Sequence, residues 1–146
     1  MARWVLIAAM VGGCGDSGTP GDDRRADASD PAKVALGEAI YAQQCASCHG
    51  AKLEGQPDWR KRLANGRMPA PPHDESGHTW HHPDRVLFGI TKNGLVPPYA
   101  PKDYVSDMPA FGDKLSDEDI WAVLAYIKSH WKSPEVLGAR ADMTRE

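Results

Sequence analysis

The apolar positions of the chain recur at helical spacing in three stretches. The first starts at Asp30-Pro31, where an acceptor side chain precedes a proline, and its apolar and small residues recur every three or four positions through Cys48. The second starts at His82-Pro83-Asp84 and ends at Asn93-Gly94, a pair typical of helix C-termini. Both patterns predict an α-helix with one buried face.

The third stretch gives the clearest helical pattern. Ser116 and Asp119 have the spacing of a capping box, and an apolar stripe follows them as far as Trp131. Ser133-Pro134 is expected to end this helix, because proline does not fit inside a helix. No segment alternates with period two for long enough to predict a strand. The fold class predicted is therefore all-α.

Long proline-rich loops separate the predicted helices, most visibly at 68–72 and 96–101. Connections in small domains average about 4–6 residues, so loops of this length are unusual. They are explained if a group other than protein supplies part of the core.

The N-terminal residues have the layout of an export signal. Residues 1–13 combine one positive charge at Arg3 with an apolar stretch and small residues. The run from Val11 to Cys14 resembles the lipobox of bacterial lipoproteins, which implies cleavage before Cys14 and lipidation of that cysteine. Residues 14–30 have almost no large apolar side chain and predict a disordered tether. The alternative is a buried first helix in which Cys14 has no role.

Length and charge limit the remaining organisation. With 146 residues the chain is long enough for one domain, predicted at 31–133 and followed by a polar tail at 134–146. A net charge of −3 gives no basic field for nucleic-acid phosphates, so no nucleic-acid partner is expected. The apolar run near the N-terminus is shorter than the ~20 residues that a membrane span needs.

Candidate chemistry lies in the sequence Cys45-Ala46-Ser47-Cys48-His49, a C-x-x-C-H motif. This motif is the attachment signature of c-type haem. Two cysteines three positions apart on one helical turn reach the two vinyl groups at one edge of a porphyrin, and the adjacent His49 offers a nitrogen to the iron. The alternatives are a thioredoxin-like redox pair, which needs a βαβ context, and half of a zinc site, which needs further ligands.

From Pro31 to Lys132 the chain resembles the class I c-type cytochromes. Gly37 and Tyr41 precede the motif at the spacing at which this family places a small and an aromatic residue against its last helix, and Tyr126 resembles the partner on that helix. The resemblance implies a small helical domain wrapped around one covalently bound haem c. It also implies thioethers at Cys45 and Cys48, with His49 as the proximal iron ligand.

The distal iron ligand is predicted to be Met108. The stretch from Ser106 to Phe111 resembles the distal-ligand loop of the same family, in which a methionine and a proline come shortly before the final helix. Met68 is also followed by proline and remains an alternative. A histidine could take the position instead, and four lie in the middle of the chain: His73, His78, His81 and His82.

A haem with both axial positions filled by protein has no open site for a substrate. The function expected is therefore electron transfer rather than catalysis, by a periplasmic monohaem cytochrome tethered to a membrane through Cys14. Its expected partners are redox proteins that donate and accept single electrons. Two other functions remain open. One is a gas sensor or peroxidase-like enzyme whose distal ligand dissociates, and the other is a module docked permanently on a larger oxidase or dehydrogenase.

Overall fold

Five α-helices make up most of the regular structure of residues 26–143, the part of the chain that the computed structural model describes. In chain order they are α1 (Pro31–Gln44), α2 (Ala46–His49), α3 (Asp84–Asn93), α4 (Asp117–Lys128) and α5 (Pro134–Met143). A single 3-10 turn, Thr79–His81, precedes α3, and this part of the chain has no strand. The all-α prediction is confirmed. None of the helices between residues 26 and 143 has the length and apolarity needed to cross a membrane.

Helices α1 and α4 pack against each other, and the point at which they cross forms the centre of the core. At Gly37 the two backbones come so close that a Cβ atom would lie 2.0 Å from the carbonyl oxygen of Ala122. One turn further along, the rings of Tyr41 and Tyr126 meet with centroids 5.3 Å apart. The predicted pairing of a small and an aromatic residue with the last long helix is therefore present, and only glycine fits at the crossing.

The predicted helix starts agree with the capping observed. Asp30 accepts hydrogen bonds from the backbone N–H groups of Ala32 and Lys33, at 2.9 and 3.2 Å, and so caps α1. Ser116 and Asp119 form the reciprocal capping box at the start of α4. Helix α3 has the predicted bounds. The first predicted helix divides at Cys45 into α1 and α2.

The C-terminal region differs from the prediction. Helix α4 ends at Lys128 rather than at Ser133-Pro134, and the chain turns at residues 129–131. Residues 134–143, predicted as part of a polar tail, form α5. The Ser133 hydroxyl accepts from the N–H of Val136, and Pro134 takes the first helical position. The Ser-Pro pair interpreted as a stop is therefore also the start of the next helix.

Helix α5 is held by a buried ionic cluster, the Asp84 triad, which consists of Asp84, Lys128 and Arg140. Asp84 lies in the first turn of α3, is fully buried, and pairs with Lys128 of α4 and Arg140 of α5. Arg140 also lies over the ring of Trp131, 5.2 Å from its centroid. One carboxylate thus joins three helices.

The predicted signal and lipidation site, residues 1–13 and Cys14, lie outside the described residues, as does most of the predicted tether. Its last five residues are described and are ordered. Ala26 is fully buried in the core, and Asp27 accepts from the N–H of Ser29 at 2.8 Å. Alanine has little apolar surface, so the sequence did not suggest that Ala26 fills a small position in the core.

Candidate functional site

The C-x-x-C-H motif lies where α1 gives way to the short helix α2. The N–H of Cys45 donates to the carbonyl of Tyr41, and the N–H of His49 donates to that of Cys45, both at 2.9 Å. This continuous turn places Cys45 and Cys48 on one helical turn with His49 directly after them. Neither cysteine forms a disulfide within residues 26–143, and Cys45 is half-buried while Cys48 is exposed.

The electrostatics of Cys45 argue against a thioredoxin-like redox pair. Burial, together with the neighbouring Cys48, raises the pKa of the Cys45 thiol to about 11. Reactive cysteines in redox pairs have lowered pKa values, because the thiolate is the attacking species. Cys45 therefore lacks the activation that the attacking cysteine of a redox pair needs.

His49 is held in the form that binds a metal. Its ring is buried, and its Nδ1 lies 2.8 Å from the carbonyl oxygen of Pro71. A carbonyl only accepts, so Nδ1 carries the proton and Nε2 carries the lone pair. Burial lowers the pKa of His49 although the bond to Pro71 opposes it, so the ring is neutral at pH 7. Metal-bound histidines commonly donate their other N–H to a carbonyl in this way.

His73 lies against His49 rather than opposite it. The two rings stack with centroids 4.0 Å apart and planes inclined by 22°. Two ligands on opposite faces of one iron cannot stack on each other, so this contact excludes His73 as the distal partner of His49. No sequence pattern predicts this stack, because 23 residues lie between the two positions.

The other histidines of the middle region contact tryptophans or one another. His78 is exposed and stacks on Trp59 with centroids 5.3 Å apart, and His81 stacks on Trp80 at 3.6 Å. His82 meets His78 edge to face at 5.5 Å. Each of these rings has a packing partner among the loop residues.

Met108 lies in the loop from Ser106 to Phe111, which forms contacts with other parts of the domain near both of its ends. Its N–H donates to the Ser106 hydroxyl at 3.0 Å, and the preceding Asp107 forms an ion pair with Arg67. On the other side, the N–H of Phe111 donates to the carbonyl of Thr91 near the end of α3, at 3.0 Å. Met108 itself is half-buried, as is Met68. These contacts fix the course of the predicted distal-ligand loop.

Sequence reasoning missed the groups that orient His49. A backbone carbonyl such as that of Pro71 has no signature in the sequence, since every residue has one. Two adjacent prolines at 71 and 72, followed by His73, were the only available signal.

Fold and site together define a monohaem c-type cytochrome domain: a small all-helical chain with one C-x-x-C-H motif and a neutral, oriented histidine. The family model described as cytochrome c oxidase, cbb3-type, subunit III matches residues 32–127. The chain belongs to this family. Its cofactor is covalently bound haem c, and the free thiols and the available Nε2 fit that group.

Two curated proteins illustrate the relationship. Cytochrome c550 of Pseudomonas aeruginosa is 33% identical over 99 residues, which cover 66% of this chain and 54% of that protein. Thiosulfate dehydrogenase of Stutzerimonas stutzeri is 29% identical over 115 residues, 77% of this chain and 33% of that protein. The chain therefore spans about half of the first relative and a third of the second.

Proposed function

We propose that this chain is a periplasmic monohaem cytochrome c that carries single electrons between redox proteins, tethered to a membrane through Cys14. In this proposal Cys45 and Cys48 form the two thioethers, His49 is the proximal iron ligand and Met108 is the distal one. When bound, haem c supplies an iron that gains or loses one electron.

The observation that carries the proposal is the orientation of His49. Its Nδ1 donates to the Pro71 carbonyl, so the lone pair of Nε2 is available in a neutral ring. A group oriented before electron transfer needs little rearrangement when the charge on the iron changes. Cys45 is half-buried and Cys48 is exposed, which supports an attachment edge close to the surface, where a partner can approach.

The fastened distal loop supports a carrier over a sensor or peroxidase. A sensor must release its distal ligand, and a loop that moves easily would favour release. Here the loop is tied to Arg67 through Asp107 and to α3 through Phe111. Met108 is therefore expected to stay in place in both oxidation states, leaving no position for a gas or a peroxide.

A docked module is the second candidate, and two of the comparisons support it. The matching family model is described as an oxidase subunit, and thiosulfate dehydrogenase contains a segment like this chain within a longer protein. In either case the immediate partner is a redox protein. A free carrier would purify alone, whereas a docked module would purify with its larger partner.

Haem attachment is tested by the retention of haem in denatured protein matured in a periplasm. The wild type is expected to keep its haem through acid-acetone extraction and to give the pyridine haemochrome spectrum of two thioethers. Cys48→Ala should give the spectrum of one thioether. Cys14→Ala is the matched control, because it removes the third cysteine and should leave the spectrum unchanged. Loss of haem from the extracted wild type would refute the attachment.

The tether is tested by labelling cells with radioactive palmitate. We expect the label on the wild type, which should fractionate with membranes because two or more acyl chains anchor a protein stably. Cys14→Ala should carry no label, while its haem spectrum stays normal. An unlabelled wild type found in the periplasmic fluid would remove the tether from the proposal and leave the cytochrome.

A further inference from the structure

We propose that His73 is a positioning residue for the proximal iron ligand: its ring lies flat against His49 and fixes the plane of that imidazole. The inference rests on the proposed role of His49. It adds a side chain to the site that neither the C-x-x-C-H motif nor the backbone contact at Pro71 includes.

The hydrogen bond to Pro71 alone restricts the His49 ring only in part. The ring turns about its Cβ–Cγ bond, and a single hydrogen bond at Nδ1 tolerates a range of angles. A second ring stacked at 4.0 Å and inclined by only 22° opposes this rotation, because turning the His49 plane would drive it into the neighbouring ring. The two contacts together hold the ring in one plane.

His73 is itself held firmly enough to act as a support. Its Nδ1 lies 2.8 Å from the hydroxyl oxygen of Thr79, a buried residue in the 3-10 turn. That hydroxyl donates its one proton to the carbonyl of Pro72 at 3.3 Å, so it accepts from Nδ1–H of His73. The proton on His73 is thereby assigned to Nδ1.

The backbone of His73 is anchored to two other parts of the domain. Its N–H donates to the carbonyl of Leu53, a core residue just after α2, at 2.8 Å. Its carbonyl accepts from the indole N–H of Trp131 at 2.9 Å. The backbone that carries the His73 ring is therefore fixed, and Trp131, in the turn that follows α4, helps to hold it.

The plane of an axial imidazole has a spectroscopic signature. In low-spin ferric haem the distribution of the unpaired electron follows the orientation of the axial ligand, so a ring with a fixed plane gives sharp, well-defined principal g values. A ring free to turn gives a broadened electron paramagnetic resonance spectrum with shifted g values. This spectrum reports the orientation of the His49 ring. If His73 had only a structural role, its replacement would leave the g values unchanged.

The experiment compares four variants of the haem-loaded full chain by this spectrum. His73→Ala removes the stacked ring and should shift and broaden the low-spin signal. His73→Phe restores a flat ring without the N–H and should recover most of the wild-type line shape. Thr79→Val keeps His73 but removes its acceptor, so we expect a smaller shift in the same direction. His78→Ala is the matched control, because its ring stacks on Trp59 rather than on His49, and it should leave the spectrum unchanged.

The possible outcomes separate this inference from the proposed function. An unchanged spectrum in His73→Ala, or a Phe variant as perturbed as the Ala variant, would overturn the positioning role while His49 remains the ligand. Replacement of His49 tests the proposed iron ligand itself. If His49→Ala kept the wild-type low-spin spectrum, the proposed ligand and the inference built on it would both fail. If His73→Ala does not mature, Thr79→Val and His73→Phe still decide the question, since Thr79→Val preserves the side-chain shape and His73→Phe keeps a planar ring at the position.

Discussion

Replacing Met108 with alanine is expected to lower the reduction potential and to open the iron to carbon monoxide. Methionine ligation raises the potential of a His-ligated haem, so loss of the sulfur removes that contribution. The expected decrease is on the order of 0.1 V, a part of the roughly 0.8 V over which axial ligands tune haem proteins. The ferric iron–sulfur absorption band at long wavelength should disappear. Potentiometric titration and the ferrous spectrum under carbon monoxide measure both effects.

Met68→Ala is the matched control for this prediction, because Met68 is also half-buried and also followed by proline. It should leave the potential, the absorption band and the carbon monoxide response unchanged. If Met108→Ala had no effect while Met68→Ala or a change at His78, His81 or His82 altered the spectrum, the distal assignment would be wrong. Carbon monoxide binding by the unmutated ferrous protein at neutral pH would instead favour the sensor or peroxidase function.

The contacts of the distal-ligand loop also affect how firmly Met108 is held. Because Asp107 pairs with Arg67 at the surface, the pair is expected to add little to global stability. Its effect is local, since it ties the residue next to Met108 to another loop. The ion pair at Asp107 and the hydrogen bond from Phe111 to α3 restrict the loop before and after Met108, which fits a ligand that stays bound in both oxidation states.

The parts of the fold that were predictable have local sequence signals. Asp30-Pro31 and the Ser116 capping box mark helix starts through side chains that satisfy nearby N–H groups, and the structure confirms both. Gly37 and Tyr41 follow from the spacing to the motif that the family resemblance supplied. The C-x-x-C-H motif indicated haem for the same reason, since its three residues act within one helical turn.

The parts that were not predictable depend on contacts between distant residues. The His49–His73 stack and the carbonyl of Pro71 arise only when the loop after α2 folds back. Helix α5 lacks a clear apolar stripe, and its start signal, Ser133-Pro134, is also a stop signal. Its buried residues are Val136 and Arg140, and arginine is a residue type that sequence reasoning places at the surface. A buried arginine is expected only once its carboxylate partner is known, and that partner lies on α3.

The Asp84 triad leads to the largest expected change in stability. Asp84 is fully buried, and the side chains of Lys128 and Arg140 are only 18% and 10% exposed. Asp84→Ala would leave two partly buried cations without their shared carboxylate, and removing one partner of such a cluster typically costs about 3–5 kcal/mol. We expect the free energy of unfolding of the haem-loaded protein to fall by about that amount in urea titrations, with α5 the first element to lose protection against hydrogen exchange.

The control for the Asp84 prediction is a second ion pair between the same two helices. Asp117 pairs with Lys92 at 2.6 Å, but their side chains are 52% and 38% exposed, so Asp117→Ala should cost less than about 1 kcal/mol. The cause of the Asp84 effect can also be checked, because the penalty should come from the stranded cations rather than from lost packing. Adding Lys128→Met and Arg140→Met to Asp84→Ala should therefore recover part of the stability, as apolar replacements of buried charges often do. An Asp84→Ala protein as stable as the wild type, with α5 still protected, would show that the three helices are held by their apolar contacts alone.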